Sequence, residues 1–143
     1  MVLTEIRKMS VPLISDQSLV TCTYFSDAPP YKMNLILDGL ALAIQGERQG
    51  IYLLSEGSKV NGYEHWYQQD GLNGVWFGLT RVCWTVGPIG FLGQDYGGII
   101  GPDGQYEVKW PTEISVGYRF HANSIWNPAT SHEVVFIECK YLW

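Results

Sequence analysis

The sequence predicts an all-β protein: a single antiparallel β-sandwich or small barrel of about nine to eleven short strands, with an irregular N-terminal arm. Three observations predict it. Charged residues make up only 16% of the chain, against roughly 25% in ordinary globular proteins. Aromatics reach 14% and glycine occurs 16 times; turns need glycine and pleated surfaces favour rings, so this excess belongs to sheet. Finally, residues 63–87 (Y-E-H-W-Y-Q-Q-D-G-L-N-G-V-W-F-G-L-T-R-V-C-W-T-V-G) carry Trp66, Trp76 and Trp84, with glycine at 71, 74, 78 and 87. Aromatics alternating between turn glycines mark twisted hairpins.

At 143 residues the chain makes one domain, large enough to bury about 68–70% of its unfolded surface. Residues 1–17 hold neither aromatics nor glycine and read as an arm or tail, leaving 18–143 as the β domain. The first strand falls at 18–24, where Leu19, Thr21 and Thr23 alternate with Val20, Cys22 and Tyr24. A turn follows at 27–31. Residues 34–44 (N-L-I-L-D-G-L-A-L-A-I) are read as a strand with a bulge or tight hairpin at Asp38-Gly39, in preference to a short helix, because Asp-Gly is a strong turn signal. Residues 50–54 make a short strand. Residues 63–69 and 75–78 form a hairpin around the turn at 70–74.

In 82–86, Val82, Trp84 and Val86 alternate with Cys83 and Thr85, which places Trp84 in the core. Residues 87–93 are too rich in glycine for a central strand. Residues 97–101 and 105–110 are expected to pair across Pro102-Asp103-Gly104. The last strands fall at 118–122 and 132–141, separated by a loop at 123–131 that carries Trp126.

Charge excludes some functions. The net charge is −5 with nine Lys and Arg, and only Arg7-Lys8 are adjacent. No stripe exists to neutralise phosphates, so nucleic acid is not an expected partner. No apolar run approaches the ~20 residues of a membrane span, so membrane insertion is not expected. Residues 1–10 place Glu5, Arg7 and Lys8 where a signal peptide needs an apolar core. Cys22, Cys83 and Cys139 are odd in number and widely spaced, and read as free thiols. The chain reads as cytoplasmic, or as extracellular if excised from a larger secreted parent.

No catalytic residue is assigned, and the chain does not read as an enzyme. His65, His121 and His132 lie in separate segments without metal-ligand spacing, so no metal or other cofactor is expected; His65 and His121 read as strand residues facing solvent or a partner. Cys83 sits in V-C-W-T-V without a base. No G-x-S-x-G elbow occurs. Glu64, Asp70, Asp95 and Asp103 stand near turns without a defined pairing, and Asp103-Gly104 lacks a calcium-loop pattern.

The surplus that remains is aromatic. Rings beside Asn, Gln and Asp are suited to sugars, stacking on the ring face and hydrogen-bonding the hydroxyls. The candidate ligand-binding residues are Trp66, Tyr67, Gln68, Asp70, Trp76, Asn123 and Trp126. The expected function is a non-enzymatic, lectin-like, carbohydrate-binding module. The alternative is a protein–protein interaction or assembly domain acting through a sheet edge and the N-terminal arm. The expected partner is thus a glycan or a protein, with a homo-oligomer as one form of the second reading.

The strings G-I-Y-L-L (50–54), V-N-G-Y-E-H-W-Y-Q-Q-D-G (60–71), V-W-F-G (75–78) and W-T-V-G-P (84–88) carry a resemblance. They resemble a β-rich interaction or adhesion module of eukaryotic multi-domain proteins, whose pattern runs G-x-Y-x-L, N-G-x-x-x-[YW], an aromatic pair and W-x-[IV]-G. The likeness runs from about residue 35 to 139 and leaves 1–30 uncovered. It implies a binding or interaction domain and brings no catalytic residues with it.

Overall fold

The computed structural model describes residues 28–139. The expected arm, the expected strand at 18–24 and Cys22 lie outside them. Nine strands are described: β1 (Lys32–Leu37), β2 (Gly50–Leu54), β3 (Trp66–Gln68), β4 (Asn73–Gly78), β5 (Cys83–Pro88), β6 (Ile99–Ile100), β7 (Arg119–Ala122), β8 (Ile125–Pro128) and β9 (Val134–Glu138). They form one antiparallel sheet in the order β9-β1-β2-β3-β4-β5-β6-β7-β8. The chain meanders from β1 to β8, and β9 then returns to pair with β1. The all-β expectation holds at this level, with the described strands in one curled sheet.

Register explains the core. Val75 lies opposite Trp66 and Val86, Phe77 opposite Trp84, and Ile99 opposite Val86 and Phe120. Side chains alternate across a strand, so all of these share one face. They join Met33, Leu35, Tyr52, Tyr118, Val134 and Phe136 in one buried cluster. Tyr118 beside β7 and Phe136 of β9 stand near opposite ends of the strand order, yet their rings lie 5.6 Å apart. A flat sheet would keep them far apart; the sheet curls until its flanks meet through side chains. Trp84 sits at the centre of this interior, as the alternation predicted.

Three expectations are corrected. Residues 34–44 do not turn back as a hairpin at Asp38-Gly39: β1 ends at Leu37 and helix α1 (Gly39–Gln45) follows. The Asp38 carboxylate accepts from the Gly39 N–H at 2.8 Å, so the Asp-Gly signal acts as a helix cap. Only Ala41 and Gln45, one turn apart, are buried, whereas Leu40, Leu42 and Ile44 are exposed. An apolar run without polar residues at helical spacing concealed the helix.

Residues 105–110 form no strand. Trp110 is packed edge-on against Trp66 and near Trp84, and the Lys109 carbonyl accepts from the Trp84 indole N–H at 2.5 Å. Ring packing pins this segment, and the true partner of β6 is β7. Nor is 123–131 a loop. Asn123 and Ser124 take positive φ (55° and 67°), the signature of a tight two-residue hairpin turn, and β8 follows. Pro128 is tolerated there because β8 is an edge strand.

The opposite face of the sheet is also covered in part. Trp76, Cys83, Thr85 and Ile100 alternate away from the core cluster and are still buried. Residues 89–98 fold across them, and the Trp76 indole N–H donates to the Gln94 carbonyl at 2.8 Å. This cover lies on glycine: a Cβ at Gly97 would stand 2.5 Å from the Val86 carbonyl oxygen, and one at Gly87 would stand 2.8 Å from the Gly97 Cα. Among the described residues, no helix is long and apolar enough to cross a membrane.

Candidate functional site

Where residues 94–98 end, a cavity of about 290 Å³ opens beside the strands of the outer face. Its floor follows from register: Thr85 lies opposite Ile100 on β5 and β6, and His121 opposite Trp126 on β7 and β8. Arg81 reaches it from the β4–β5 turn, Asp95, Tyr96, Gly97 and Gly98 from the covering segment, and Gln45 and Arg48 from the end of α1 and the turn of 3-10 helix Gly46–Arg48.

The walls are held by a polar relay. Gln45 is nearly buried, and its amide donates to the His121 carbonyl at 2.8 Å while its oxygen accepts from Arg48 Nε at 2.7 Å. Arg48 also donates from Nη1 to the Asn73 side-chain oxygen. Asn73 in turn donates to Gln68 at 2.8 Å and to the Glu47 carbonyl at 3.2 Å. Gly98 leaves the space this relay occupies, since a Cβ there would stand 2.0 Å from the Gln45 Oε1. Trp126 is half-buried, with the His121 ring edge-on at 5.2 Å and the Arg81 guanidinium 5.7 Å from its centroid. The exposed Asp95 carboxylate lies against the floor, close to where a Cβ on Gly78 would point.

Of the residues expected at a binding site, the structure brings Trp126 to this cavity, with Asn123 exposed in the turn that leads into β8. Trp66 and Trp76 are fully buried and have no face to offer a ligand. Trp66 donates to the Pro30 carbonyl at 2.8 Å from within the core, and Trp76 lies beneath residues 89–98. Tyr67, Gln68 and Asp70 belong to the β3–β4 hairpin and do not line the cavity. Gln68 is engaged at both ends of its amide, donating to the Glu47 and Gln49 carbonyls and accepting from Asn73. His65 is not a surface residue either: it is buried, edge-on to Tyr67 at 5.2 Å, with Nδ1 unpartnered. Burial lowers its pKa, and the neighbouring Glu64 opposes that.

The sequence marks Asp95 only as an acid near a turn, and Arg48 and Arg81 escape it because nothing in their local spacing sets them apart. Their isolation in a chain poor in cations is the one available signal. Cys83 is buried and free, its pKa pushed up to about 11 chiefly by burial, so it stays a thiol at neutral pH. Comparison with known protein families, curated proteins and solved structures finds no match to this chain.

Proposed function

We propose that this protein is a non-enzymatic binding module and that its ligand is a carbohydrate taken up beside Trp126. The observation that carries this reading is a half-buried indole set among an amide, two hydroxyls, a carboxylate and two guanidinium groups around one cavity. An apolar face gives a pyranose ring its stacking surface, and convergent polar groups take the hydroxyls. Arg81 hovers over the indole, but its side chain is exposed and forms no ion pair among the described residues. It can swing aside as a sugar arrives.

The resemblance to a β-rich interaction module accords with a binding role. A glycan array probed with the folded chain tests the reading, with Trp126→Ala as control. The expected result is binding by the parent chain and none by the variant; equal signals from both would overturn it.

A second reading, a protein-interaction or assembly domain, is favoured by apolar side chains on α1 and on β8, the strand at one edge of the sheet among the described residues. Ile125 on the edge strand β8 is exposed, as are Leu40, Leu42 and Ile44. Light scattering on the purified chain decides it, since assembly through these surfaces gives a mass above that of the monomer.

A further inference from the structure

We infer that the ligand of this cavity carries an anionic group, a carboxylate or sulfate on the sugar, held by Arg48 and Arg81; this rests on the carbohydrate reading of the same cavity. The first observation is an uncompensated charge. Among the described residues the ion pairs are Lys59–Glu64 and Arg119–Asp103, and neither Arg48 nor Arg81 takes part in one. Acids outnumber Lys and Arg by fourteen to nine in this chain, so two arginines without carboxylate partners at one cavity reverse the character of the rest of the molecule.

The second observation is preorganisation. Arg48 is half-buried and fixed through Nε and Nη1, both donated to neutral amide oxygens, Gln45 and Asn73. A guanidinium carries five N–H donors, so more than half of the fork has no acceptor among these contacts. The relay orients the charge and does not neutralise it. A planar fork held in this way suits a carboxylate or sulfate, whose paired oxygens accept two parallel hydrogen bonds. Arg81 supplies a second, movable guanidinium that can close over the anion from its place on Trp126. Asp95, the carboxylate of the lining, accepts hydroxyl donors and disfavours an anion at its own end, so the two kinds of wall would set the direction of the sugar.

The test uses the full chain, with calorimetric titration and the Arg Nε–H resonances as readouts. The probes are glucose, glucuronic acid, glucose 6-sulfate and inorganic sulfate. The expected result is that at least one acidic sugar binds about tenfold or more tightly than glucose, shifting the Arg48 Nε–H signal. The better of the two acids identifies carboxylate or sulfate as the recognised group. Arg81→Gln and Arg48→Gln should each erase the preference for the acid, so that acid and glucose then bind the variant alike. Should Arg48→Gln fail to fold, the exposed Arg81→Gln decides the matter.

Equal binding of glucose and both acids would overturn the anion inference and leave the carbohydrate reading standing. Arginine-dependent binding of inorganic sulfate with no sugar bound would overturn the carbohydrate reading and keep the anion site. If no probe binds, and an array of acidic glycans is also silent, both fall.

Discussion

Tryptophan residues divide the labour of this molecule. Trp66, Trp84 and Trp110 meet Phe77 in a cluster of edge-on and tilted rings with centroids 5.1 to 6.3 Å apart, contacts worth about 0.5–1.5 kcal/mol each beyond the area they bury. Trp84→Ala should therefore cost about 3–5 kcal/mol of stability, read from urea unfolding. Trp126→Ala should leave the unfolding midpoint nearly unchanged, because the ring stands at the rim of a cavity on an edge strand. If both variants unfold alike, Trp126 is a plug and the proposed site loses its floor. His65 makes a different kind of prediction. Its pKa is lowered on folding by burial, with Glu64 opposing, so the unfolded chain binds the proton first as pH falls. Its contribution is intact above the ordinary histidine value of about 6.5 and erodes below it. His65→Leu should give a shallower loss of melting temperature between pH 7 and pH 5; an unaltered slope would show that this ring does not set it. The sequence carried the first of these roles and not the second: alternation in residues 82–86 placed Trp84, whereas the polar character of His65 concealed its burial.

At the scale of elements, the covering segment 89–98 joins fold to site. It shelters Trp76 on one side and supplies Asp95, Tyr96, Gly97 and Gly98 to the cavity on the other. Its seat on the sheet depends on a residue without a side chain. Gly97→Ala would press a methyl group onto the Val86 carbonyl oxygen and the Thr85 Cγ2, a backbone clash that no rotamer change relieves. The cost should be about 1–3 kcal/mol, together with a red-shifted tryptophan emission as Trp76 meets water and a loss of ligand binding. Retained emission and binding would mean that the segment yields without lifting. The sequence marked 87–93 as irregular, but not that it doubles back over a second buried face. Glycine states where backbones approach closely; it does not name the partner. The same limit explains α1 and β8. Asp38-Gly39 signals a change of direction equally well as a cap or a turn, and Asn123-Ser124 gives no glycine to announce a two-residue hairpin.

Across the whole molecule, the β3–β4 hairpin was legible because its turn rests on a few local residues. The cavity was not, since Gln45 with Arg48, Arg81, and Trp126 come from three separate parts of the chain and meet only after the sheet has curled. One pairing differs in kind from the others. β1 is joined on one side by β2, the next strand in the chain beyond α1, and on the other by β9, which follows every other described strand. Closing that ladder brings together residues separated by nearly the whole described chain, an entropic cost met before any contact rewards it. Refolding from urea should accordingly be slow, in the range of milliseconds to seconds, when followed by tryptophan fluorescence; completion within microseconds would refute a rate set by topology. On the ribosome the consequence is sharper. At about 5–20 residues per second, β1 waits seconds with the backbone groups that will bond β9 unpaired, while Leu35 and Leu37 still lack Phe136 and Val134 beside them. During that interval the chain is a template for pairing with a neighbour, so crowded synthesis should select for aggregation through β1, and a strand-β1 peptide added in trans should slow the yield of native protein.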